Sequence, residues 1–149
     1  SEMCIRDSQE TNEFLRCIPH VVCGDFNAFR KSDCDVHGWQ AILDLHKSRG
    51  WPAPRENSLV LDSLDVSGHR DAFYDCYDDG EEPTYPQPTC WTNNPLMRID
   101  HVFVKNPPQS KRESSAIIPK RHYRVETDAS DHFPVVMEAS IATKRTSLI

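Results

Sequence analysis

Three short polar clusters carry residue types that can move a proton and hold a phosphate. The first, Gly24-Asp25-Phe26-Asn27, follows the apolar run Val21-Val22-Cys23. In extended backbone alternate residues share a side, so Asp25 and Asn27 project together and Phe26 projects opposite. A carboxylate beside an amide can take a proton from water and orient that water or a phosphate oxygen. The same four residues would also make a plain Gly-Asp turn in which Asn tolerates unusual backbone angles.

The second cluster is the run Arg98-Ile99-Asp100-His101-Val102-Phe103-Val104. Alternation puts Ile99, His101 and Phe103 on one face and Arg98, Asp100, Val102 and Val104 on the other. An ionised Asp100 beside valines is costly unless it is paired and hydrogen-bonded. One partner is Arg98, in a salt bridge along the strand. The other is a histidine from elsewhere, whose tautomer and charge Asp100 would fix. The third cluster, Ser130-Asp131-His132-Phe133-Pro134, supplies such a histidine ahead of Val135-Val136-Met137. In a turn, Asp131 can face a hard cation while His132 faces a phosphate oxygen. A turn stabilised by Ser130 or Asp131 accounts for the acid but leaves His132 without a role.

These clusters need elements to hold them. Gln9 to Cys17 reads as a short helix and His20 to Asp25 as a strand. Ser32 or Asp33 is suited to cap a helix with Trp39, Ile42, Leu43 and His46 at helical spacing, which Gly50 stops with Pro52 just beyond. Leu59, Val60, Leu61 and Leu64 suggest another helix, and Asp71 to Cys76 a further turn. A loop from Asp78 to Pro88 leads to strands at Thr89–Thr92, Arg98–Val104, about 115–125 and Pro134–Ile141. Helices alternate with strands, and strands dominate toward the C-terminus: an α/β (α+β) pattern.

At 149 residues the chain can bury one core and leaves little room for a second. Hydrophobic residues at 38%, charged residues at 27% and a mean hydropathy of -0.63 describe a folded, polar-leaning chain. No apolar run reaches the roughly 18 residues of a membrane span, and the first ten residues lack the apolar segment of a signal peptide. A net charge of -6 argues against a protein that coats nucleic acid generically. Six cysteines without CxxC or zinc-finger spacing read as free thiols, with Cys23 inside a core strand. Reduced thiols favour an intracellular setting. Eight acids between Asp62 and Glu82 read as solvated loop. Six bases between Lys105 and Arg124 read either the same way or as an approach surface for a phosphate-bearing substrate.

The order GDFN, RIDHVF, SDHFPV resembles the endonuclease/exonuclease/phosphatase superfamily, whose fold is the DNase I-like four-layer α/β sandwich. Pro88-Thr89-Cys90-Trp91-Thr92 is similar to that family's strand ahead of the second block. The resemblance covers about residues 20–141. It implies that Asp25 polarises the attacking water, Asn27 orients it or the phosphate, His132 stabilises charge on the scissile phosphate, and Asp100 buttresses His132. It also implies Asp131 and Asp25 at a magnesium site, with manganese as a substitute, and Asn27, Trp91 and Arg98 on the substrate side. Such a site positions groups and neutralises developing charge.

Family domains run to about 250 residues and carry an Asn and a metal-binding Glu well ahead of the GDFN block. Here 24 residues precede Asp25, and Glu10 lies too near it to be that ligand. Residues 1–18 are therefore expected to be a non-native or incomplete segment, 19–142 the C-terminal part of the domain, and 143–149 a tail. Such a half would hold mainly one of the fold's two sheets, with its inner face open to water and prone to self-association, and the chain as written is expected to be incomplete and to show little or no catalysis. The expected function is a magnesium-dependent phosphoesterase, nuclease-like on a phosphodiester such as nucleic acid. The alternatives are a phosphomonoesterase or phospholipase-type member acting on inositol phosphates or lipid head groups, and a catalytically silent fragment or binding module.

Overall fold

The computed structural model describes residues 18–76, 85–108 and 113–145. The expected helix over Gln9–Cys17, Glu10 and most of the Asp78–Pro88 loop lie outside the described residues. The chain runs β1 (His20–Asp25), a 3-10 turn (Lys31–Asp33), α1 (Val36–Arg49), α2 (Leu59–Val66), β2 (Arg70–Asp71), α3 (Ala72–Asp75), β3 (Asp100–Lys105), β4 (Glu113–Arg124) and β5 (Val135–Arg145). Among the described residues no helix is long and apolar enough to cross a membrane.

β3 is the centre of an antiparallel sheet of order β1-β3-β2, and β4 and β5 form a separate antiparallel pair. The strands thus divide between two sheets, where one had been expected to predominate. β3 is buried on both faces, as the valines alternating with His101 and Phe103 require. Val102 and Val104 pack with Ala72 against Ile117 of β4 and Val135 and Met137 of β5. On the opposite face Phe103 meets Ala28 and Leu61, while Ile99 joins Trp39, Ile42, Cys90 and Met97. The result is an α+β architecture of helices on antiparallel sheets, consistent with a DNase I-like domain.

Several expectations change in detail. α1 is capped by Asp35, which accepts the Gly38 N–H at 2.7 Å, and not by Ser32 or Asp33. Asp33 is buried and occupied elsewhere, accepting from the Arg30 N–H and the Tyr74 hydroxyl. Gly50 does end α1, at φ 66° in the left-handed region that glycine enters without steric cost. Thr89–Thr92 is not a strand: a tight turn returns Met97 onto Cys90, and only isolated bridges form. Cys23 lies in the expected strand but is exposed, because β1 is an edge strand whose Val21 and Cys23 side carries no cover among the described residues. The four described cysteines, Cys23, Cys34, Cys76 and Cys90, are free.

The acidic run is also not bare loop where it is described. Asp62 and Asp65 pair with Arg30, Asp71 with Arg98, and Asp75 with Arg70. Two of the described bases are likewise neutralised, Arg121 by Glu138 and Arg124 by Glu126.

Candidate functional site

β1 ends at Gly24-Asp25, and Asp25 itself builds the turn that follows. Its Oδ1 accepts the Asn27 N–H at 2.7 Å, and its Oδ2 accepts Asn27 Nδ2 at 3.3 Å. Asn27 sits at φ 47°, where asparagine is tolerated better than most side chains. Phe26 donates its N–H to Ile99 O at 2.9 Å, so the turn is stitched to the start of β3.

Asp100 stands opposite Asp25 in the β1–β3 register, which puts both carboxylates on one face of the sheet. Asp100 Oδ2 accepts from His132 Nδ1 at 3.0 Å, with both side chains half-buried. An ionised carboxylate only accepts, so Nδ1 carries the proton and Nε2 is left for whatever occupies the site. The pair lines an open cleft of about 390 Å³ together with Gly24, Ser130 and Pro134. Asp131 is exposed beside it. Its carbonyl accepts from Thr92 N at 3.0 Å, and Ser130 Oγ holds the His132 N–H at 3.2 Å.

The Thr89-Cys90 segment joins these pieces. Buried Thr89 Oγ1 accepts the Ile99 and Asp100 N–H groups at 3.1 and 3.2 Å, and its carbonyl accepts the Phe133 N–H at 2.9 Å. One threonine therefore anchors Phe133, the residue after the histidine of the third cluster, and the acid of the second. Cys90 lies buried next to it. Burial, then the charges of Asp100, Asp131 and Asp25, push its thiol up to about 11, which makes it no nucleophile.

Two residues expected on the substrate side lie elsewhere. Arg98 is buried, donating from Nη1 and Nη2 to both oxygens of Asp71 at 2.7 Å, with its guanidinium over the Phe73 ring. It neither pairs with Asp100 nor faces the cleft, because the bidentate carboxylate and an aromatic face draw it inward. Trp91 is half-buried against the Trp39–Ile42–Met97 cluster. Sequence reasoning missed Thr89, Asp71 and the inward role of His101. Thr89 alone had a signal, its place in the PTCW block.

A model of the endonuclease/exonuclease/phosphatase family matches residues 9–132, a span that includes the first two polar clusters and Ser130–His132 of the third. The chain belongs to this family. No curated protein and no solved structure gives a significant match. As a member of the endonuclease/exonuclease/phosphatase family the protein is a hydrolase of phosphoester bonds, a family generally dependent on a divalent metal. Asp25 and Asp100 stand opposite each other in the β1–β3 register, and a cation would relieve the repulsion between two such carboxylates. Among the described residues no three His, Cys, Asp or Glu side chains form a ready-made ligand set. A cation held by one or two carboxylates, with water and substrate completing its shell, is how magnesium is commonly bound.

Proposed function

We propose that this protein hydrolyses phosphodiesters, with nucleic acid the favoured substrate class, by a magnesium-assisted attack of water. The supporting observation is the Asp100–His132 pair, at 3.0 Å, facing a cleft beside the Asp25–Asn27 turn. Asp25 and Asp131 would hold magnesium or manganese, which would neutralise phosphate charge and lower the cost of ionising water. Asp25 takes the proton of the attacking water, and Asn27 Nδ2 orients that water or a phosphate oxygen. His132 directs Nε2 at a non-bridging oxygen and stabilises the charge that grows there, while Asp100 holds the ring. Exposure of Asp25 and Asn27 suits an extended substrate that approaches from solvent.

The test is turnover of the full chain with millimolar magnesium on four substrates: a duplex oligonucleotide, a single-stranded oligonucleotide, a phosphomonoester and a phosphoinositide. Cleavage of an oligonucleotide that is lost on adding a chelator supports the reading. Preference for the monoester or the lipid overturns its substrate class. Magnesium should also raise Tm, since a ligand selective for the native state stabilises it. No cleavage and no change in Tm would leave a silent module instead.

A further inference from the structure

We propose that His101 is a positioning residue that fixes the backbone of the Asp25–Asn27 turn. His101 lies on the face of β3 opposite Asp100, with a fully buried side chain. Its Nε2 is 2.9 Å from the carbonyl oxygen of Ala28, the residue after Asn27. A carbonyl only accepts, so Nε2 carries a proton and donates it. On the other side of the ring Nδ1 faces Asp71 Oδ2 at 3.6 Å, beyond hydrogen-bond distance, and has no hydrogen-bond partner among the described residues. Both Asp71 oxygens are held by the Arg98 guanidinium at 2.7 Å, and Oδ1 also accepts the Phe73 N–H at 3.0 Å. The imidazole thus stands between a braced carboxylate and one backbone carbonyl.

The consequence falls on Asn27. Its left neighbour is tied to β3 by the Phe26 N–H on Ile99 O, and its right neighbour by Ala28 O on His101. Between two fixed points the backbone at Asn27 keeps φ 47°, a conformation that needs surrounding restraint. The rings of Phe26 and Phe103 meet the imidazole at 5.8 Å centroid distances, so an apolar aromatic would fill the same space. An apolar side chain would also avoid the cost of burying polar atoms. What the histidine alone supplies is the directed donor. Releasing it would orphan the Ala28 carbonyl and let the turn relax, displacing Asp25 and Asn27 together.

The catalytic arm of the test rests on the phosphoesterase reading; the structural arm does not. In the full chain, His101→Phe keeps the ring and removes the donor. His101→Gln places an amide N–H near the Nε2 position, while His101→Asn reaches only as far as Nδ1. Amide exchange and the NMR resonances of Asn27 are read in each. In His101→Phe the Asn27 N–H should exchange about 10-fold faster or more and its resonances should move, with His101→Gln close to wild type. Should His101→Phe not fold, the Gln and Asn variants carry the comparison. Unchanged Asn27 resonances in His101→Phe, or identical behaviour of the Gln and Asn variants, overturn the proposal. With magnesium and a bis-aryl phosphodiester, His101→Phe should lose roughly 10- to 100-fold in kcat with little change in KM, and His101→Gln should recover most of it. Rate loss that His101→Gln does not rescue also counts against the donor. A wild type that turns over no phosphoester refutes the function alone, and the exchange result still decides the clamp.

Discussion

A histidine that stabilises charge on a phosphate must point one ring nitrogen outward and keep the other occupied. Asp100 supplies that occupation for His132 at 3.0 Å. Replacing Asp100 by Asn removes the charge that enforces the tautomer, and losses of about 10²- to 10⁴-fold in kcat follow when a comparable buttress is altered. His132→Ala should cost about 10²- to 10³-fold, the typical worth of one preorganised donor. Steady-state kinetics on the same diester measures both, and a His132→Ala rate near wild type would remove this residue from the mechanism. Asn27 allows a separation of strain from chemistry. At φ 47° an alanine pays about 1 kcal/mol and glycine nothing. Urea titration should therefore find Asn27→Gly more stable than Asn27→Ala, while both lose activity because neither carries the amide.

At the scale of elements, the site depends on a threonine that touches no substrate group. Thr89 Oγ1 accepts two buried N–H groups at the start of β3. Thr89→Val keeps the shape and strands both donors, so it should cost about 2 kcal/mol or more, whereas Thr89→Ser restores the acceptor. Denaturant unfolding of the two variants reads the difference; equal stabilities would mean that the hydroxyl does not hold β3. Local order along the chain was largely legible: the spacing of Trp39, Ile42, Leu43 and His46 marks α1, and Gly50 marks its end. Long-range pairing was not. Strand alternation offers Arg98 only neighbours two residues away, while its true partner, Asp71, comes from β2, 27 residues earlier. The Asp100–His132 contact spans 32 residues; the cost of an acid beside valines called for a histidine from elsewhere, and the resemblance to a family assigned that role to His132. Asp33 failed as a cap for a similar reason, since Tyr74 and the Arg30 N–H claim it from outside the helix.

For the whole molecule, the buried polar layer that joins the sheets sets how acid destabilises it. His122 on β4 meets the Phe73 ring edge-on and has a buried Nε2 without a hydrogen-bond partner among the described residues. Burial first, then the nearby Arg98 charge, push its pKa down to about 4 from an ordinary 6.5. Between those values the unfolded chain binds a proton that the folded one refuses, so stability falls as pH drops from about 6.5 to 4. His69, also lowered by burial and by Lys105, acts with the same sign. Asp71 governs the next window. Burial alone would raise its pKa, but the neighbouring His101 ring, the Arg98 guanidinium and the Phe73 N–H overcome that and hold it well below the usual carboxylate range. Its stabilisation is complete above about pH 4 and is lost as pH falls toward the folded value. The expected curve of Tm against pH therefore declines in two successive limbs. His122→Phe, which preserves the aromatic contact, should flatten the upper limb, leave the residual slope from His69, and keep the lower limb intact. Calorimetry of both proteins from pH 7 to pH 3 distinguishes the cases. Parallel curves down to pH 4 would mean that His122 takes up its proton in the folded state as freely as in the unfolded one, and that the layer between the sheets is open to water.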